Sequence, residues 1–232
     1  MKPIAIFYHC LFYGGTPPQL LPAAIPIITE QMLALSGTGL LDAASYFLVG
    51  INGGSESRPF IDNCIPVEAD CVMHGLDCKN ENRTILELEK WLPEHKDWHV
   101  LYFHSRGATH PLGDGFTGQW RACMMKHNVL NWKQCIQDLD AGYDAVGAHW
   151  MEPPATPVSQ YIFAGTFWWA TSNYLLTLPS IMERERIKMS GIDSHESRYE
   201  AEVWIGNGPK RPRVKDYHGP NWNPSKIATC II

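Results

Sequence analysis

The sequence predicts an α/β domain, a three-layer sandwich around a mostly parallel central sheet. Two observations carry that prediction. Apolar, strand-like runs alternate with segments of helical spacing through most of the 232 residues. The composition, 45% hydrophobic and 19% charged, is that of a globular chain long enough to bury a sizeable core.

The elements follow in order. "IAIFYH" (Ile4 to His9) reads as a buried first strand, broken by "FYGGTPP" with its two glycines and two prolines. Residues 25–36 read as a helix after Pro26, closed by Gly37 and Gly39. "SYFLVGING" (Ser45 to Gly53) is a second strand, and "CIPVEADCV" holds a short one. "NRTILELEKWL" places Ile85, Leu88 and Leu92 at helical spacing. "DWHVLYFHS" is the third clear strand. From Trp120, "WRACMMKHNVLNWKQCIQDLDAGY" fits one helix with a broad buried face. Tyr143 to Trp150 and Tyr161 to Ala170 read as the fourth and fifth strands. "SNYLLTLP" is a short helix stopped by Pro179, and "SRYEAEVWIG" another closed by Gly206. With no internal repeat, residues 1–232 are expected to form a single domain.

Several function classes lose ground at this stage. A net charge of −5 with no basic tract argues against a nucleic-acid partner. No apolar run approaches the roughly 20 residues of a transmembrane helix, so a cytoplasmic location is expected. The seven cysteines contain no CxxC; Cys71 and Cys78 could pair, but free thiols are the expectation. "NRT" at Asn82 is a formal glycosylation sequon. HExxH, zinc-finger spacing, GxSxG and the P-loop are all missing.

In a parallel sheet, ligands sit beyond the carboxyl ends of the strands. The residues that end strands are therefore the first candidates: Tyr8, His9, Asn52, His104, Ser105, Arg106, His149 and Trp150. "HSRG" (His104 to Gly107) offers an imidazole, a hydroxyl and a guanidinium that can fork onto phosphate oxygens, with a glycine permitting close backbone approach. The competing reading is a strand end capped by polar groups. Gly165 inside a strand can mark close approach of a ligand. Phe167, Trp168 and Trp169 suit a sugar face, although strand alternation puts the two tryptophans on opposite faces and core packing is the better account of at least one. Glu200 and Glu202 are candidate general bases that point in different directions on a helix. The tail "KDYHGPNWNP" adds His218, and Lys210, Arg211, Arg213 and Lys215 form a small basic cluster, either a charged loop or an anion contact.

"VLYFHSRG", the stretch from Trp120 to Trp150, "FAGTFWWATSNYLLTLP" and "RYEAEVWIG" together resemble small GT-A-fold glycosyltransferases of bacteria and large DNA viruses. The resemblance covers residues 98–208; before that only the order of strands agrees. It implies a nucleotide-diphosphate-sugar donor, such as a UDP-sugar, in a nucleotide-binding half (about 1–110), and a glycan acceptor in the other half (111–232). Tyr8, His9, Asn52, His104, Ser105 and Arg106 would then hold the donor, Gly165, Phe167, Trp168 and Trp169 would border the acceptor, and Glu202 or Glu200 would take the acceptor's proton in an inverting transfer. It also implies Mn2+ or Mg2+ on the diphosphate, with His104 and His218 as candidate ligands. Many members carry Asp-x-Asp where this chain has "HSRG"; "DLD" (Asp138 to Asp140) has the letters but precedes a strand. Two alternatives stand beside this reading. One is a non-catalytic carbohydrate- or nucleotide-binding domain. The other is a phosphoesterase with His104, His110 and His218 around a metal.

Overall fold

The computed structural model describes residues 2–14, 19–53, 55–75, 81–111, 114–153, 161–182 and 200–218. Its strands are β1 (Ile4–Leu11), β2 (Tyr13–Gly14), β3 (Gln19–Leu20), β4 (Tyr46–Asn52), β5 (Asp70–Met73), β6 (His99–His104), β7 (Ala145–Gly147), β8 (Trp150–Met151), β9 (Ile162–Phe163), β10 (Trp168–Thr171) and β11 (Val214–Asp216). Its α-helices are α1 (Ala24–Gly37), α2 (Leu40–Ala43), α3 (Arg58–Cys64), α4 (Asn82–Trp91), α5 (Gly115–Met125), α6 (Trp132–Asp140), α7 (Ser172–Leu175) and α8 (Glu200–Trp204).

Seven strands form one sheet in the order β11-β7-β10-β6-β1-β4-β5. All its pairings are parallel except those of β10, which runs against both neighbours. Six strands therefore end at one edge, and β10 begins there.

The period of two along each strand divides the core into two layers. Ile4, Ile6, Tyr8 and Cys10 of β1, Leu101 and Phe103 of β6 and Trp169 of β10 pack with α1, α5 and α6. Ala5 and Phe7, Val100 and Tyr102, and Trp168 and Ala170 pack with α4, α7 and α8. Helices cover both faces, which is why the strands read as continuous apolar runs.

Three expected elements are subdivided. The helix from Trp120 breaks into α5, a π-turn at Lys126–Leu130 and α6. Within that turn the Asn128 carbonyl accepts from Trp169 Nε1 at 2.8 Å, and Asn128 Nδ2 donates back to the Met124 carbonyl at 2.9 Å. The fourth strand splits into β7 and β8 at His149, whose φ is 68° and whose N–H donates to Asp216 Oδ1 at 3.0 Å. The fifth splits into β9 and β10 at Gly165 and Thr166, with φ of 96° and 57°. Gly165 thus turns the chain and does not lie within a strand.

The cysteine expectation is also corrected. Cys71 is free, as are Cys10, Cys64 and Cys135, but Cys123 is disulfide-bonded. No helix among the described residues is long and apolar enough to cross a membrane.

Candidate functional site

The site is built where β6 ends. The parallel ladder closes at His9 opposite His104, and Ser105 extends the join: its N–H donates to the His9 carbonyl at 3.0 Å and its Oγ accepts from Leu11 N–H at 2.9 Å. The chain then folds tightly, with Arg106 N–H donating to the His104 carbonyl at 2.8 Å and Ala108 N–H to the Ser105 carbonyl at 3.1 Å. Gly107 takes φ of 94°, and a Cβ there would lie 3.0 Å from both Thr117 Cγ2 and Arg121 Nη1. Glycine is required by both the backbone angle and the space.

This turn throws Arg106 over the Trp120 ring, with Cζ 3.7 Å from its centroid, so the guanidinium is held on an aromatic face beside the cleft. Beneath it, Gly165 accepts from His104 Nε2 at 3.0 Å; β10's reversed direction is what brings Gly165 to this edge. His104 Nδ1 faces Glu81 Oε1 at 3.3 Å.

Glu81 caps α4, and the first turn of α4 meets α8. Asn82 Nδ2 donates to Glu200 Oε2, which turns Glu200 to α4. Glu202 instead lines the cleft, together with His9, Glu81, His104, Ser105 and Arg106. The cleft encloses about 550 Å³, and Phe116 and Trp120 of α5 form its aromatic wall. Phe116 is 45% exposed there.

Burial sets the electrostatics. It pushes the Glu81 carboxyl up to about 8, and the neighbouring Glu202 pushes the same way. Burial holds His104 well below the usual imidazole range, with Arg106 and His9 adding to the effect. His9 is lowered to about 3 by burial and by His74, and its Nδ1 lies 2.8 Å from Thr84 Oγ1. His74 Nε2 shares that hydroxyl at 3.1 Å.

Other expected site residues do not reach the cleft. Tyr8 is fully buried and donates to Gln31 Oε1 at 2.6 Å, so it is a core residue and not a nucleotide contact. Asn52 is 1% exposed and is absent from the cleft wall. Phe167, Trp168 and Trp169 are fully buried, because both sheet faces are covered, so none can border an acceptor. Phe167 packs edge-on to Phe103 and His104, and Trp168 stacks on Tyr102. A Cβ on Gly165 would lie 2.7 Å from Met124 Sδ, so the close approach is by protein and not by ligand. His218 lies against His149, ring centroids 4.7 Å apart, outside the cleft wall.

The residues present do not fit the divalent metal that the resemblance implied. Both His104 nitrogens are engaged, and among the described residues no group of three His, Cys, Asp or Glu is placed to hold an ion. In "DLD", Asp138 accepts from the Tyr217 hydroxyl at 2.7 Å and Asp140 faces His99, which starts β6 at the opposite edge. The basic cluster is structural where contacts define it. Arg211 pairs with Glu152, while Arg213 donates to the Ala141 and Gly142 carbonyls after α6.

Two residues of the cleft escape sequence reading. Glu81 looks like an ordinary acid ahead of a helix, and Phe116 like one apolar residue among many. Neither carries a local signal, since each is defined by what the fold sets opposite it.

Residues 7–212 match the model of a family described as a domain of unknown function, DUF8361. No curated protein matches the chain in sequence. Among solved structures, one from Desulfovibrio desulfuricans G20, described as a nucleotide-diphospho-sugar transferase, superposes with a TM-score of 0.50 at 13% identity, covering 94% of this chain and 80% of that one. A 4-diphosphocytidyl-2C-methyl-D-erythritol synthase gives 0.38 at 12% identity over 98% and 95% of the two chains. The 2-C-methyl-D-erythritol 4-phosphate cytidylyltransferase of Thermus thermophilus gives 0.37 at 12% over 100% and 98%. The first likeness shows the fold, an α/β sandwich around a mostly parallel central sheet.

Proposed function

The chain belongs to the DUF8361 family, and we propose that it is a glycosyltransferase that moves a sugar from a nucleotide-diphosphate sugar, a UDP-sugar, to a hydroxyl of a glycan or glycoconjugate with inversion. One observation carries the reading: a guanidinium and a carboxylate from distant parts of the chain, Arg106 and Glu202, line the same cleft at the carboxyl edge of the sheet. The first half of the chain supplies the donor side through His9, Ser105 and Arg106. The second supplies the acceptor side through α5 and α8.

The chemistry follows from charge. As the acceptor oxygen attacks the anomeric carbon, its proton passes to Glu202 and the carbon–oxygen bond to phosphate breaks. The electron pair leaves with the nucleoside diphosphate, and Arg106 stabilises the charge that develops there. A single displacement inverts the anomeric centre. His104, with both nitrogens engaged, positions the turn that carries Arg106.

The test is incubation with a panel of nucleotide sugars, following release of nucleoside diphosphate. Glu202→Gln is expected to lower turnover by about 10²–10⁴-fold while leaving the donor-induced rise in thermal stability intact. Near-normal turnover in that variant removes Glu202 from the mechanism. Donor binding with no turnover in the unmodified protein leaves a binding module instead.

A further inference from the structure

The direction of one hydrogen bond decides the state of a residue that the transfer chemistry does not use. A backbone carbonyl can only accept, so at 3.0 Å from the Gly165 oxygen the proton of His104 is on Nε2. In the neutral ring Nδ1 then presents a lone pair, and the group facing it at 3.3 Å is Glu81 Oε1. A lone pair facing a carboxylate is repulsive, whereas facing a carboxylic acid it receives a hydrogen bond.

We infer that Glu81 is a positioning residue that holds a proton and donates it as a hydrogen bond to His104 Nδ1, so that it sets no second negative charge beside Glu202. The surroundings favour this state on balance, burial and Glu202 outweighing Arg106 and the Tyr102 hydroxyl, which favour the ionised carboxyl. Glu202 of α8 opposes a second negative charge and Arg106 and His9 oppose an imidazolium, whereas the Tyr102 hydroxyl of β6 hydrogen-bonds the Glu81 carboxyl and pulls the other way. Glu200, the other acid of α8, is engaged by Asn82. Burial raises the Glu81 carboxyl to about 8 and lowers His104, which is the neutral pair and not the ion pair. Above that pH Glu81 ionises, its bond to His104 is lost, and a charge appears beside Glu202 and the bound diphosphate.

The protonation state can be read without any substrate; only the kinetic consequence rests on the sugar-transfer reading. In protein labelled with carbon-13 at glutamate carboxyls, one resonance is expected at the protonated position at pH 7. It should titrate with a midpoint near 8 and be absent from Glu81→Gln. Nitrogen-15 spectra should show His104 as the neutral Nε2–H tautomer. Full ionisation of every glutamate at pH 7, or an imidazolium at His104, overturns the inference. Should Glu81→Gln fail to fold, His104 Nδ1 in the unmodified protein decides, since its shift must move with the same midpoint. In the transfer assay, turnover should fall above about pH 8 in the unmodified protein but not in Glu81→Gln; a fall that persists in the variant overturns the inference. Absence of transfer in the unmodified protein would count against the proposed reaction and leave the spectroscopic result standing.

Discussion

Gly50→Ala probes how the fold holds the donor side of the cleft. Gly50 lies in β4 opposite His9, and a Cβ there would sit 1.9 Å from Thr84 Oγ1, 2.6 Å from His74 Nε2 and 2.9 Å from Thr84 Cβ. Thr84 is fully buried, so it has no open space to move into. Its hydroxyl meets both His9 Nδ1 and His74 Nε2, and displacing it disturbs both contacts. Overpacking of this kind costs about 1–3 kcal/mol, and each buried hydrogen bond lost adds about 1 kcal/mol. Alanine's smaller unfolded-state entropy returns about 0.4–1 kcal/mol. The net expectation is a loss of about 2–5 kcal/mol, a drop in urea midpoint of roughly 0.7–1.5 M if the denaturant slope is about 3 kcal/mol per M. Donor affinity should fall as well, because His9 is part of the cleft wall. Equilibrium urea unfolding followed by tryptophan fluorescence measures the first effect, and donor thermal shift the second. Thr84→Ala in the same chain removes the closest clash, so the double variant should lose less than the sum of the two single losses. An unchanged midpoint in Gly50→Ala, or strict additivity with Thr84→Ala, would refute this account of Gly50.

Other outcomes follow from the same contacts. Tyr8→Phe leaves the buried Gln31 Oε1 without its donor and should cost about 1–3 kcal/mol in chemical denaturation, with donor affinity unaltered. Ser105→Ala strands the Leu11 N–H where β1 and β6 leave the ladder, and a similar loss is expected in the same measurement. Arg106→Lys keeps the charge but loses the planar stack on Trp120 and the two-pronged fit to phosphate, so binding of a nucleoside diphosphate should weaken in calorimetry. Stability should also depend on pH through Glu81. From the ordinary carboxyl value near 4.5 up to about 8 the folded chain holds a proton that the unfolded chain has released, so stability falls as pH rises across that window, and Glu81→Gln should flatten the fall in a series of thermal melts.

The layered architecture was legible because both faces of the sheet are covered. Strands buried on both sides must be apolar throughout, and β1, β4 and β6 stand out from the amphipathic helix α4 for that reason. The same double coverage misled the reading of Phe167, Trp168 and Trp169, since an aromatic run ending at the sheet edge looks the same in sequence whether a sugar or a helix lies on it. The breaks at His149, Gly165 and Asn128 were illegible because each is set by a distant partner: the Asp216 carboxylate, the His104 imidazole and the Trp169 indole respectively.

Sequence alone determined that His104, Ser105 and Arg106 emerge together at the end of a buried strand, because three polar residues cannot continue an apolar run into the core without partners. It also marked Glu202 as an acid apart from Glu200, since neighbours two apart on a helix diverge. Only the tertiary structure decided that Glu202, and not Glu200, shares the cleft with Arg106, and that Glu81 neighbours both Glu202 and His104. The charge state of a buried carboxyl depends on which groups surround it in space. Glu81 and Glu202 are separated by more than a hundred residues of chain, and only the docking of α8 on the first turn of α4 brings them together.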